Sequence, residues 1–319
     1  MRIRFWGTRG SLPVSLTAAD IRHKIVEALL AAAGRNLMSR SEIETFVERD
    51  LPFSVSHTYG GNSSCVELDA GSADHVLCDL GTGARSFGQH VLAEKGPAAS
   101  NTFHVFISHL HWDHIMGFPY LPQAYLPGNR IVIYGCHDAI EKAFRLQHSA
   151  PCFPVEFDRL AAAVEFVKLE PGKRHRLAGL EVTPKLQLHG GDSYGYRFEN
   201  GGKVVVYSTD SEHKTEDARS TREVVEFFRD ADLVIFDAMY SLADSVSVKA
   251  DWGHSSNIVG VELCQLARVK HLCMFHHEPV HSDARIASVL RETLRLEEIT
   301  RGNHRLRISS AHDGMEIVV

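Results

Sequence analysis

The chain reads as a layered α/β fold with its chemistry at the strand ends, and three observations carry that reading. Short apolar segments of β type alternate with helical ones. Several β-type segments end in Asp or His, as where Phe103-His104-Val105-Phe106-Ile107 runs into Ser108-His109. Apolar residues make up 44% of the 319 positions with no low-complexity tract, which suits one domain over residues 1–319 with a sizeable core.

The elements follow in order. Residues 2–6 and 64–69 are early strands, and between them an insertion at about residues 16–52 predicts two helices. The first runs from Asp20, an N-cap residue type, through Ile21, Ile25, Leu29 and Ala33 to Gly34, where a helix stops. The second opens at Ser41 with Glu44 three residues on, a capping-box spacing, and carries Ile43, Phe46 and Val47 before Pro52 ends it. Each has an apolar face expected to pack on this chain, with a lid or a homodimer contact as the alternatives. Residues 75–79 and 103–107 read as buried strands, with a tight glycine turn at Leu80-Gly81-Thr82-Gly83. Further strands are expected at 131–134, 164–169, 180–188, 193–198 and 233–237, and along the Lys203-Val204-Val205-Val206-Tyr207 run that leads to Asp210. Asn200-Gly201 predicts a hairpin turn. Helices at about 255–268 and 282–297 flank a strand at 272–275, and a last strand lies near 313–318.

Composition excludes several function classes. A formal net charge of −6 argues against a nucleic-acid-binding surface, which is usually basic. A strand that begins at Met1-Arg2-Ile3 leaves no room for a signal peptide, and no apolar run has membrane-spanning length, so a cytoplasmic protein is expected. The six cysteines (Cys65, Cys78, Cys136, Cys152, Cys264, Cys273) form no CxxC pair, which predicts buried free thiols. Histidine is the outlier at 20 residues.

The run Ser108-His109-Leu110-His111-Trp112-Asp113-His114 follows directly on a strand. Imidazole nitrogens and carboxylates suit zinc, manganese or iron, and His109 and His111 point the same way on an extended chain. The pattern resembles the signature of the metallo-β-lactamase superfamily, and the resemblance covers almost the whole chain. It implies a four-layer αββα sandwich, with the helical insertion after the first strand, and two divalent cations, zinc first with manganese or iron as alternatives. On that resemblance His189 completes the first metal site, Asp210 bridges both, and the His276-His277 pair supplies the end of the second. His276 is preferred because it directly follows the strand Cys273-Met274-Phe275, with His277 left open. Metal one then takes His109, His111, His189 and Asp210, and metal two takes Asp113, His114, Asp210 and His276. The chemistry implied is hydrolysis: paired cations lower the pKa of a shared water and stabilise charge that builds on phosphoryl or carbonyl oxygens. Asp79 is expected to orient a ligand histidine. The remaining histidines lack ligand spacing and are expected to be hydrogen-bonded.

Finer segments resemble the phosphodiesterase branch, which holds ribonuclease Z, the cyclic-phosphate phosphodiesterase of phosphonate breakdown and cyclic-nucleotide phosphodiesterases. They are Arg4-Phe5-Trp6-Gly7-Thr8-Arg9-Gly10-Ser11, Tyr59-Gly60-Gly61-Asn62-Ser63-Ser64-Cys65, and Asp237-Ala238-Met239-Tyr240 followed by Trp252-Gly253-His254-Ser255-Ser256. That resemblance makes Asp237 and His254 a catalytic pair beside Asp113, because a protonated imidazole held by a carboxylate can donate to a leaving alkoxide. Otherwise His254 is a turn residue ahead of a helix. Arg9 is a candidate phosphate clamp or a turn arginine, and Tyr194 and Tyr196 are pocket candidates or strand core. The 16–52 insertion is charge-mixed and carries no long basic, glycine-rich arm of the kind ribonuclease Z uses on transfer RNA. A small phosphodiester, either a cyclic nucleotide or a sugar cyclic phosphate, is therefore the expected substrate. An RNA-processing nuclease and a lactone or thioester hydrolase are the alternatives.

Overall fold

A computed structural model describes residues 1–213, 217–240 and 253–319, so Trp252 of the segment above lies outside the described residues. Two seven-stranded sheets organise the chain. The first contains β1 (Arg2–Gly7), β2 (Cys65–Asp69), β3 (His75–Cys78), β4 (Thr102–Phe106), β5 (Arg130–Gly135) and β6 (Ala163–Lys168) in that order, with β14 (Glu316–Val318) against the open side of β1. The second contains β7 (His175–Leu177), β8 (Leu180–Gln187), β9 (Ser193–Asn200), β10 (Lys203–Ser208), β11 (Leu233–Asp237), β12 (His271–Phe275) and β13 (Arg307–Ser310). β3 to β6 run parallel, as do β10 to β13, so the carboxyl ends of these strands gather on common edges.

The sheets pack face to face. Phe5, Phe106 and Tyr134 from the first meet Tyr196, Phe198, Tyr207 and Phe275 from the second in one buried cluster, each large ring contributing about 1.5–3 kcal/mol by leaving water. The outer face of the first sheet is covered by α4 (Gly83–Lys95) and α6 (Ile140–Gln147), through Phe87, Val91 and Phe144. The outer face of the second is covered by α7 (Ala218–Phe228), α8 (Asn257–Leu266) and α9 (Asp283–Thr300), through Phe228, Val261 and Val289. The β10 run is apolar on both faces for this reason: Val205 and Tyr207 enter the inter-sheet core while Val206 faces the helices. The result is the four-layer αββα sandwich, with three helices inserted after β1.

Those inserted helices are α1 (Ala18–Ala32), α2 (Arg40–Arg49) and the single turn α3 (Phe53–Ser56). Both predicted starts shift by a few residues. α1 is capped by Thr17, with Asp20 as the reciprocal partner rather than the cap. α2 is capped by Ser39 with Glu42, not by Ser41 with Glu44; the earlier register wins because the Glu42 carboxylate also accepts from the Met38 and Ser39 backbone N–H groups. α1 buries none of its residues, and Ile25 and Leu29 are 54% and 67% exposed, so its apolar face is not packed on this chain as expected. The hairpin between β9 and β10 is centred one residue later than predicted. Gly201 and Gly202 take φ of 56° and 77°, as a type I′ turn requires, and Asn200 pairs with Lys203. All six cysteines are free, and Cys152 alone of them is exposed.

Candidate metal centre

The site forms where loops leave β3, β4, β10, β11 and β12. Four of its residues hold left-handed backbone, Ser11 (φ 55°), Asp79 (φ 60°), Asp210 (φ 41°) and His276 (φ 61°), a conformation that costs non-glycine residues and persists where surroundings over-determine it. The strain has a geometric result. Asp79, Asp210 and His276 each follow an apolar strand and bend back over its end, which turns their side chains toward one another.

Two ligand groups result. His109, His111 and His189 bring one nitrogen each into a first group, and Asp113, His114, Asp210 and His276 form a second, with the donor atoms of each group within 4.8 Å of one another. Asp210 joins them. Its Oδ2 faces His109 Nε2 (3.6 Å) and His189 Nε2 (3.7 Å), while its Oδ1 faces His114 Nε2 (3.1 Å) and His276 Nε2 (3.2 Å). Asp113 Oδ2 lies 3.1 Å from His114 Nε2 and 3.3 Å from His276 Nε2. His277 turns away, its Nε2 on the Ala311 carbonyl at 2.8 Å.

Two of the imidazoles are aimed by their other nitrogen. His114 Nδ1 donates to Asp79 Oδ2 (2.7 Å) and His189 Nδ1 donates to the Gly253 carbonyl (2.8 Å), which leaves Nε2 as the inward lone pair. Asp79 is in turn held by Ser108 Oγ (2.8 Å), the Ser108 N–H (2.7 Å) and the Tyr207 hydroxyl (2.7 Å). Burial, with Asp79 beside it, pushes the Tyr207 phenol well up, so it stays a donor. Gly10 and Gly253 are required at close range: a Cβ on Gly10 would stand 2.5 Å from His276 Nδ1, and one on Gly253 2.5 Å from His189 Nδ1.

These residues fit a divalent cation. The Nε2 atoms of His109 and His114 are buried without a hydrogen-bond partner, and they face the buried carboxylates of Asp113 and Asp210. Burial holds His109 well below the ordinary histidine value, the neutral form a ligand needs. On His114 burial acts the same way but is outweighed by Asp113, Asp210 and Asp79, which push it well up; a bound cation would take the place of that proton.

A model of the β-lactamase superfamily domain matches residues 74–277, the stretch that carries every one of these ligands. The chain belongs to the β-lactamase superfamily. This superfamily member is 26% identical over 265 residues to a ribonuclease Z of Thermoplasma acidophilum, covering 69% of this chain and 81% of that protein. It superposes on the metallo-β-lactamase fold protein YhfI of Bacillus subtilis with a TM-score of 0.64 at 16% identity, over 99% of this chain and 98% of that one. A diphosphatase of the PhnP family matches with a TM-score of 0.58 at 17% identity, over 100% of this chain and 97% of that one. As in the ribonuclease Z and phosphodiesterase relatives of its branch, the chain is a metal-dependent hydrolase.

Beside these two groups stands the Asp237–His254 pair. His254 Nδ1 donates to Asp237 Oδ2 at 2.9 Å, and Asp237, fully buried at the end of β11, is fixed by the N–H groups of Ser211 (3.1 Å) and Met239 (3.2 Å). His254 Nδ1 is 4.0 Å from Asp210 Oδ2, which sets the pair against the ligand cluster. Burial disfavours charge on His254, but Asp237 together with Asp210 and Asp113 outweighs it, and the imidazole is pushed up to about 9.

Three expected substrate residues are placed elsewhere. Arg9 is 2% exposed, and its guanidinium is spent on the carbonyls of Gly60 (2.9 Å) and His281 (2.8 Å) beside Asp283, so it knits the loop instead of clamping phosphate. Tyr196 is fully buried with its hydroxyl on the Ile107 carbonyl (2.6 Å), and Tyr194 shares that inter-sheet core edge-on to His137. Sequence reasoning missed Ser11, whose N–H donates to Asp113 Oδ2 at 2.8 Å, because a backbone donor leaves no side-chain signal. It also missed Tyr207 and Ser108 as holders of Asp79.

Proposed function

We propose that this chain is a dinuclear phosphodiesterase acting on a small phosphodiester. In this reading His109, His111, His189 and Asp210 hold one cation, zinc by preference, and Asp113, His114, Asp210 and His276 hold the other. Such cations supply an acidified water and positive charge for the phosphoryl oxygens. The protein's own residues do the rest. Asp210 presents a carboxylate oxygen to each group and Asp113 presents one to the second, Asp79 keeps His114 oriented, and His254 stands ready to hand a proton to the departing oxygen. With Nδ1 committed to Asp237, the proton it gives is the one on Nε2, and Asp237 steadies the ring as the P–O bond breaks.

The Asp237–His254 pair beside the ligand cluster is the observation that carries this reading, because expelling an alkoxide from phosphorus needs an acid. The test is H254A with metal content measured in parallel. It should keep its metal and lose roughly 10²–10⁴ in kcat on an alkyl phosphodiester, and much less with a p-nitrophenolate leaving group that needs little protonation. Equal losses on both would remove the acid role.

Cleavage of RNA is a second reading, favoured by the ribonuclease Z of Thermoplasma acidophilum. The formal net charge of −6 supports the small substrate over a polyanion. Precursor transfer RNA cleavage with a steep salt dependence would reverse that preference.

A further inference from the structure

Exposed apolar side chains scattered singly are ordinary, but three large ones here are tied through the chain to the metal centre. Trp112 is 78% exposed and lies between His111 and Asp113, at the first residue of the short helix α5 (Trp112–Ile115). Leu12 is 61% exposed and follows Ser11, whose N–H holds Asp113 Oδ2 at 2.8 Å. Leu188 is 59% exposed and precedes His189, whose Nε2 lies 3.2 Å from His111 Nδ1. Adjacent Cα atoms are about 3.8 Å apart, so each of the three is anchored one residue from a member of the cluster or from Ser11, and His111 in that cluster is itself exposed. An indole offers a large, rigid, flat apolar face on which another ring can stack. Among the described residues, the Trp112 indole has no hydrogen bond, ring contact or cation-π partner; its carbonyl accepts from the Met116 N–H at 2.7 Å.

We propose that Trp112 is a specificity-determining residue: its indole is the platform on which a planar aromatic group of the substrate stacks, with Leu12 and Leu188 screening the edges of the stack from water. The proposal rests on the phosphodiesterase reading and deepens it, since a nucleobase carried by the phosphodiester is the group such a platform takes. On this proposal the ester substituent of a phosphate seated among these residues reaches the indole of Trp112, which stands in the chain between His111 and Asp113. Stacking tolerates any base because every base has a π face, so discrimination is expected between ring and no ring, not among bases.

Two measurements on metal-loaded protein separate this proposal from the reading beneath it. Calorimetric titration compares AMP with ribose 5-phosphate, which share the phosphate and sugar and differ in the base. The wild-type protein should prefer AMP by roughly 5- to 150-fold, the range that base–aromatic stacking supports. W112A should erase that preference and W112F should keep most of it. W112A should also melt with the wild-type protein, because the side chain it removes is exposed. Hydrolysis is then measured on adenosine 2′,3′-cyclic phosphate and methyl riboside 2,3-cyclic phosphate, whose leaving oxygens match. No preference for AMP, or a preference that survives W112A, overturns the role of Trp112 even if both cyclic phosphates are cleaved. A preference erased by W112A in a protein that cleaves neither compound keeps the platform and removes the phosphodiesterase reading.

Discussion

The metal centre and the helical insertion are built by opposite means. At the centre Asp79 is fully buried and accepts bonds from His114, from Tyr207 and from the side chain and backbone of Ser108, so four groups from three residues fix one carboxylate. In α1 the helix is specified locally, by the Thr17–Asp20 capping box and an apolar stripe that stays largely in water. The first region stores strain that its neighbours hold in place; in the second the exposed apolar positions could be changed one by one with little response, while Lys24 ties the helix to buried Asp283 at 2.6 Å. Substitutions in the centre should therefore have large, coupled effects, and substitutions on α1 small, separable ones.

The largest effect is expected at Asp210, whose two oxygens face different ligand groups. D210N should fail to hold metal in both groups at once and abolish hydrolysis, with elemental analysis of protein purified without chelator as the check. Normal loading of either group would mean that Asp210 does not join them. One step outward, D79N replaces an acceptor that three donors share with a side chain that must donate on one side, so metal affinity should fall by about 10–100-fold with the fold intact. Competition with a chromogenic chelator measures it. An affinity equal to wild type would reduce Asp79 to a packing residue.

A smaller effect, in stability and far from the metal, is expected at His271. It is buried at the start of β12 with Nε2 2.7 Å from Ser309 Oγ, and burial, aided by Arg307, lowers it to about 4. The sign follows from the unfolded value near 6.5: the folded state prefers the neutral ring, so its stabilisation is complete above about pH 6.5. It is lost as the pH falls toward 4, with a slope of at most about 1.4 kcal/mol per pH unit. Urea unfolding between pH 7 and 4 should show H271N as the flatter curve; parallel curves would assign the acid sensitivity to other groups.

What the sequence made legible follows the same division. The candidate ligands could be read because they match a family motif and lie in segments that follow apolar strands, a local signal that survives without knowledge of the partner. Arg9 could not, because its bonds go to carbonyls at residues 278 and 281, more than 260 positions away in the chain. Tyr207 reaches Asp79 across 128 positions from inside a strand that reads only as apolar. For Tyr194 and Tyr196 the alternation was visible, but which face of β9 met the other sheet was not. In the insertion the capping chemistry was recognised while its register slipped, since Ser39–Glu42 and Ser41–Glu44 offer the same spacing and backbone donors at Met38 and Ser39 decide between them.

The smallest effect is expected on α1, and it tests the other half of the comparison. Leu29 is 67% exposed on a helix with no buried residue, so L29Q removes apolar area that already meets water. Its stability should stay within about 0.5 kcal/mol of wild type, the range of surface substitutions away from special features, whereas a truncated core leucine costs about 2–5 kcal/mol. Thermal melts at two protein concentrations decide the matter. A loss beyond that range would show the stripe to be covered, and a loss that shrinks on dilution would make the cover a second copy of this chain, because only an associated state gains stability with concentration. A neutral result at both concentrations leaves α1 as a surface helix tied to the body by Lys24, on Asp283 (2.6 Å) and the His57 carbonyl (2.8 Å), rather than by its apolar stripe.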